Sequence, residues 1–337
     1  MGFADSWHVA LGAVRRPLSY FGDPEQRLFL PFLLGALGVA VLALLAHRRL
    51  TLRALRGLFT PRVWLHQSSL LDYKLLFAKP VIHALFFAPA LLSSYALALW
   101  TVGRLDAWRG VPGPTALPGW QIRGLYTLVL FVAWDSSRFL VHFLAHKVPV
   151  LWELHKVHHS AEVMTPFTLY RSHPLESLLF KVRGILVTGL LTGLFFHLFR
   201  LTAVQYDFLG VNAVGFVLNL LGGNLRHSHV WLRYPRWLER ILISPAQHQL
   251  HHSAVMEQCH SNYGVWLSCW DALLGSLRFS DEGRPRRFGL PRRELNHSPH
   301  GLASALFQPM WAGARALVPR RWRRTEAPAQ ESPSGTR

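Results

Sequence analysis

Charge is scarce in this sequence, and negative charge scarcest of all. Of 337 residues 16% are charged, with 18 Asp plus Glu against 36 Lys plus Arg, whereas soluble proteins average about 25% charged residues. Half of the residues are hydrophobic and the mean hydropathy is +0.19, which disfavours an ordinary cytosolic globule. Only two cysteines occur, Cys259 and Cys269, too few for a disulfide framework or an iron–sulfur centre. No phosphate-binding glycine loop, nicotinamide or flavin fingerprint, haem motif or H-E-x-x-H run is found. NTPase, dehydrogenase and the commonest helical zinc-protease chemistries are therefore disfavoured. No secretory leader is recognisable either, because Asp5, Asp23 and Glu25 precede the first long apolar run. The net charge of +18 fits nucleic acid or an anionic membrane surface. Long apolar runs and the lack of a nucleic-acid signature favour the membrane.

About 20 apolar residues cross a bilayer. Leu28–Ala46, Val81–Val102 and Gly124–His142 qualify, and Ile185–Phe199 and Phe208–Leu221 form a weaker pair, read as a helical hairpin or two half-buried helices. Residues 103–123 are rich in Pro and Gly and read as a loop. Basic residues mark the cytoplasmic side of a membrane protein. Arg48, Arg49, Arg53, Arg56 and Arg62, with Lys74 and Lys79, place 47–80 in the cytoplasm and 103–123 outside. The third span then returns the chain to the cytoplasm near His142, and the arginine-rich region after Gly222 stays there. From Thr325 the tail is polar and expected to be disordered. Trp64, Trp100, Trp120, Trp134, Trp152, Trp231 and Trp237 fit an interfacial belt, the alternative being a substrate tunnel lined by Trp134, Trp152 and Trp266.

Histidine is the anomaly, at 19 residues. Lone histidines such as His8, His47, His66, His83, His197, His297 and His300 need no special role. The others form patterns. His142 and His146 are spaced to share a helix face, as are His155, His158 and His159 in H-K-V-H-H. The same spacing recurs at His248, His251 and His252 in H-Q-L-H-H. Imidazole suits iron, copper and zinc, and eight rings on such faces would serve two metal ions. His173 in R-S-H-P-L-E, and His227 and His229 in N-L-R-H-S-H-V, are further candidate ligands.

The order HFLAH, LWELHKVHHS, RSHPLE, NLRHSHVWL, ISPAQHQLHHS, NYG and WDALLGSL, from about Gly124 to Leu277, resembles the fatty acid hydroxylase/sterol desaturase superfamily. Two positions depart from that pattern: Phe143 follows His142 where the family often has Arg, and His260 precedes S-N-Y-G where it has Asp. The resemblance implies an all-α integral membrane enzyme with four to five membrane helices and a cytosolic helical cap carrying a histidine-rich dinuclear metal site. It implies two iron ions (zinc being possible in purified protein), O2 as co-substrate, a lipid substrate, and electrons from a separate ferredoxin or cytochrome-like donor. Three regions follow: a membrane region at 1–123, a catalytic domain at 124–280 and a basic cytosolic segment at 281–337.

A site of neutral imidazoles needs nearby carboxylates to set ligand tautomers. Asp135, seven residues before His142 and inside an apolar run, is assigned to the site as the carboxylate orienting His142. Glu153, Glu176 and Asp271 are alternatives. A divalent-metal transporter or a haem-binding membrane cytochrome are the rival readings, and the placement of the histidine boxes beyond the third span speaks against both.

Overall fold

The computed structural model describes residues 3–46, 51–87, 91, 93–200, 206–291, 294 and 300–317. The fold is mostly helical. The helices that build the site and its scaffold are α1 (Phe3–Ser19), α2 (Leu30–Ala46), α3 (Gln67–Ile82), α4 (Ser94–Arg109), α5 (Gly119–Lys147), α6 (Pro149–His159), α7 (Pro174–Phe199), α8 (Ala213–Leu220), α9 (Pro245–His251) and α10 (Leu302–Leu317).

Two of these, α5 with 29 residues and α7 with 26, are long and apolar enough to cross a membrane, and α2 is a shorter apolar helix. The two long helices run antiparallel: Tyr126 on α5 meets Thr192 on α7 at 2.7 Å, and the Trp134 indole donates to Thr188 at 3.0 Å. α4 lies along α7 at close range, because Gly189 and Gly193 give the backbones room. A Cβ on Gly189 would stand 2.8 Å from the Leu97 side chain, and one on Gly193 would stand 2.7 Å from the Ala98 carbonyl. Small residues four apart are the usual device for close helix pairing in lipid.

Helix boundaries follow local chemistry. Pro149 cannot continue α5, so α6 begins there in a new direction with proline at its first turn. His173 caps α7, its ring accepting from the Leu175 amide, with Pro174 next. Ser244 and Gln247 form a reciprocal capping box at the start of α9.

Several expected boundaries move. Val81–Val102 is not one span: α3 widens into a π turn at His83–Phe87, and a fresh helix starts at Ser94 under the cap of Ser93. The loop expected at 103–123 shrinks to 110–118, since α4 runs through Arg109 and α5 begins at Gly119. α7 begins eleven residues before Ile185, at Pro174. Phe208–Leu221 is no span, because a two-residue β-hairpin (Asp207–Phe208 with Val211–Asn212) is followed by only eight helical residues. Its turn carries Leu209 and Gly210 at positive φ. Within the expected basic tail, α10 is an ordered helix whose Ala305 packs with Leu71, Leu75 and Val157. Arg48, Arg49 and the tail from Thr325 lie outside the described residues.

A buried ion pair ties the N-terminal region to the histidine-bearing one. Arg171, fully buried, donates to Asp72 Oδ1 at 3.1 Å, to the Ser68 carbonyl at 2.9 Å and to the Val157 carbonyl at 2.9 Å. Thr168 completes the set by donating to Asp72 Oδ2 at 2.7 Å.

Candidate metal centre

Four segments deliver imidazoles to one place. The last turns of α5 bring His142 and His146; α6 brings His155, His158 and His159; the 3-10 turn Gly223–His227 brings His227; the end of α9 brings His248, His251 and His252. All nine are buried. They separate into two groups: His142, His146, His155, His159 and His251, and His158, His227, His248 and His252. Within each group, one ring nitrogen per residue lies within 4.8 Å of all the others.

The hydrogen bonds assign the tautomers of four rings. His142 Nδ1–H donates to the Tyr263 carbonyl at 2.7 Å, and His251 Nδ1–H to the Ser261 carbonyl at 2.7 Å. His158 Nδ1–H donates to the Arg171 carbonyl at 3.0 Å, and His155 Nδ1–H to Glu176 Oε1 at 2.6 Å. Each of these rings therefore turns a bare Nε2 inward. His142 Nε2 and His155 Nε2 are 3.1 Å apart, two lone pairs with no proton between them. Further inward nitrogens, among them Nε2 of His146, His251 and His252, have no protein partner. Burial holds His155 and His158 at a pKa of about 3. Burial first, then the neighbouring rings, pushes His159, His227, His248, His251 and His252 well below the ordinary range. All seven are thus neutral at pH 7, the form that binds metal. The donor set fits two borderline-soft divalent ions, each ringed by imidazole.

Not every sequence candidate joins these groups. His173 spends both nitrogens elsewhere, accepting from the Leu175 amide and donating to the Leu306 carbonyl at 2.8 Å. His229 faces outward and donates to the Gly57 carbonyl at 3.1 Å. Asp135 does not orient His142. Its carboxylate accepts from the Trp266 and Leu267 amides at 3.0 and 3.1 Å and from the Trp270 indole at 2.9 Å. Seven residues are about 10 Å along a helix, beyond the reach of a carboxylate to the ring two turns away. Arg138, three residues on, lies over the Phe180 ring.

The other carboxylates divide clearly. Glu176 holds His155, while Glu153 pairs with Lys156 at 2.7 Å near the surface. Asp271 accepts from the Tyr263 and Gly264 amides at 2.8 and 2.7 Å and from the Ser276 hydroxyl at 2.6 Å. Asp135 and Asp271 therefore pin the two ends of one loop whose carbonyls, at Ser261 and Tyr263, orient two of the rings. Trp152 is a wall of the site and not part of a belt: it is buried, and its ring lies 4.9 Å from that of His146, tilted at 41°. His260 stands where a carboxylate was expected, with its Nδ1 3.1 Å from His146 Nδ1.

Comparison with known proteins agrees with this geometry. Residues 127–276 match the fatty acid hydroxylase family, an interval that contains every one of the nine histidines. Over this interval the chain is similar to the fatty acid hydroxylase family. Among curated relatives, it is 31% identical to the ornithine lipid hydroxylase OlsE of Rhizobium tropici over 166 residues, 49% of this chain and 45% of the relative. It is 28% identical to a Delta(7)-sterol 5(6)-desaturase of Gibberella zeae over 160 residues, 48% of this chain and 44% of that one. Human alkylglycerol monooxygenase is 26% identical over 152 residues, 45% of this chain and 30% of that one. The chain thus spans about half the length, or less, of these relatives. No solved structure matches it.

Sequence reasoning missed the carbonyls of Arg171, Ser261 and Tyr263, which no side-chain pattern marks. It also missed the Asp72–Arg171 pair, whose members are 99 residues apart. The arginine at the head of R-S-H-P-L-E was the available signal for the latter.

Proposed function

We propose that this protein is a membrane-bound, non-haem di-iron oxidoreductase that uses O2 to oxidise a C–H bond of a lipid, by hydroxylation or desaturation. One observation carries the reading: two adjoining groups of buried imidazoles, four of which turn a bare Nε2 inward, with further inward nitrogens that have no partner. His142, His146, His155, His159 and His251 would hold one ion, and His158, His227, His248 and His252 the other. When bound, the iron pair supplies the redox chemistry that activates dioxygen.

The protein's own residues do the rest. Glu176 and the carbonyls of Arg171, Ser261 and Tyr263 hold four rings in the ligating tautomer before any metal arrives. Trp152, Tyr263 and the surrounding helices keep bulk water from the site. Hydroxylation consumes one O2, two electrons and two protons and gives the alcohol and one water; desaturation gives the alkene and two waters. Both need an outside reductant, so a separate ferredoxin or cytochrome-like donor is part of the proposal. The names of the relatives include both outcomes, and hydroxylation is preferred slightly.

The apolar α5, α7 and α2 would lie in the bilayer, with the histidine end and the C-terminus in the cytoplasm, where the arginine-rich segments lie and the donor has access. The test is twofold. Purified protein should carry about two transition-metal ions per chain, given two groups of ligand-forming rings, and lipid profiles of strains with and without the gene should differ by one added oxygen or two removed hydrogens. Metal near zero in protein prepared without chelator, or identical lipid profiles, would overturn the reading.

A further inference from the structure

Beside the two histidine groups stands a set of arginines that none of the above explains. Arg27 and Arg226 both lie against the Trp266 ring, at 5.2 and 3.8 Å from its centroid. Arg138 is four residues before His142 on α5, hence on the same face one turn away, and lies near enough to both Arg27 and Arg226 for the charges to repel. Arg226 directly precedes His227. Only 5% of it is exposed. Its Nε donates to the Gly223 carbonyl at 3.2 Å, and its Nη1 has no hydrogen-bond partner.

Two carboxylates face these three guanidinium groups. Asp135 accepts from the Trp266 and Leu267 amides and the Trp270 indole, and Glu176 holds His155 through Oε1, so at least one positive charge has no counter-ion. Arg27 Nε meets only the Asn224 amide oxygen, at 3.3 Å, and its other neighbour of note is the Tyr170 phenol. Burying a guanidinium without a counter-ion is costly, and natural interiors avoid it unless an anion completes the site. Guanidinium is also the group best shaped for phosphate and carboxylate.

We propose that Arg27, Arg138 and Arg226 form a receptor for the anionic group, phosphate or carboxylate, of the lipid substrate. The proposal rests on the lipid-oxidising reading and narrows its substrate to an anionic lipid. Each histidine group has one of these arginines next to it, Arg138 by His142 and Arg226 by His227. An anion held here brings the lipid's head end to the metals, so oxidation falls on carbons near that end and not at the chain terminus. Neutral sterols would leave at least one of the three charges without a counter-ion.

The test is a binding measurement that needs no turnover. The metal-loaded protein in neutral detergent is titrated by calorimetry with dodecyl phosphate, dodecanoate, dodecanol and inorganic phosphate. The two anionic amphiphiles should bind, and dodecanol and inorganic phosphate should bind at least about tenfold more weakly, the factor expected for loss of one charged hydrogen bond. Arg226→Gln and Arg27→Gln should each weaken dodecyl phosphate about tenfold or more, while Arg226→Lys keeps part of the affinity. Arg27 is far in sequence from any histidine of the site, so Arg27→Gln with full metal content separates anion binding from damage to the metal centre. Equal affinity for dodecyl phosphate and dodecanol would overturn the proposal. So would inorganic phosphate binding as tightly as dodecyl phosphate, or unchanged binding in Arg27→Gln. Selective anionic binding without any lipid oxidation would leave the receptor standing and sink the enzymatic reading instead.

Discussion

His142 and His155 face each other Nε2 to Nε2 at 3.1 Å, and neither has a proton to offer the other. The proton of His142 is spent on the Tyr263 carbonyl and that of His155 on Glu176. Two opposed lone pairs in a water-poor interior repel, and a cation between them turns the repulsion into two coordinate bonds. This contact distinguishes a metal centre from an ordinary polar core, in which donors and acceptors alternate.

The first prediction separates ligands from bystanders. His155→Ala should lower metal content below that of the parent, whereas His229→Ala and His173→Ala should leave it unchanged, since both rings are bonded to carbonyls outside the groups. Elemental analysis of the three variants at matched expression decides the matter. Loss of metal in His229→Ala equal to that in His155→Ala would refute the assignment.

Glu176→Gln tests tautomer control. The amide oxygen can still accept from His155 Nδ1–H, but the negative charge that makes the ring a stronger donor is gone. Metal affinity or activity should fall about 10–100-fold, while the folded protein persists. A chelator-competition titration measures the affinity, and an unchanged value would show that the carboxylate serves packing alone.

Asp135→Asn should behave differently, because Asp135 holds backbone and not a ring. The substitution leaves one of its donors facing an amide NH2 and should cost about 1–3 kcal/mol of stability. Because the loop it anchors carries the Ser261 and Tyr263 carbonyls, metal should be lost in proportion to that destabilisation. Thermal unfolding and metal content measured together are the check. Metal loss at full thermal stability would return Asp135 to a direct role at His142.

Gly193→Val should part α4 from α7, since even a Cβ meets the Ala98 carbonyl at 2.7 Å. Overpacking of this kind costs about 1–3 kcal/mol. Gly103→Ala on α4, where nothing lies within 4 Å, is the comparison and should be neutral or slightly stabilising. Denaturation in detergent reads both, and equal stability would show that the helices do not pair as described.

Histidine spacing alone determined much of this centre. Two copies of H-x-x-H-H and one H-x-x-x-H place their rings on helix faces by the 3.6-residue period, and a face is a local property that a chain segment carries with it. The apolar character of α2, α5 and α7 was equally legible, because it depends on composition over one continuous stretch. What only the tertiary structure decided is which faces meet. Nothing within the chain segments says that His227 completes a group with His158, His248 and His252, or that His173 and His229, in equally suggestive motifs, are turned to carbonyls at Leu306 and Gly57. The same holds for Asp135, whose partners lie more than 130 residues away, and for the loop carbonyls that orient His142 and His251. The break of Val81–Val102 and the short α8 escaped for a related reason: hydropathy reports where a segment is comfortable, and capping, proline and glycine contacts decide where its helix starts and stops. Periodicity is written into each stretch of sequence, whereas ring orientation is settled by hydrogen bonds to backbone atoms that only the folded chain brings near.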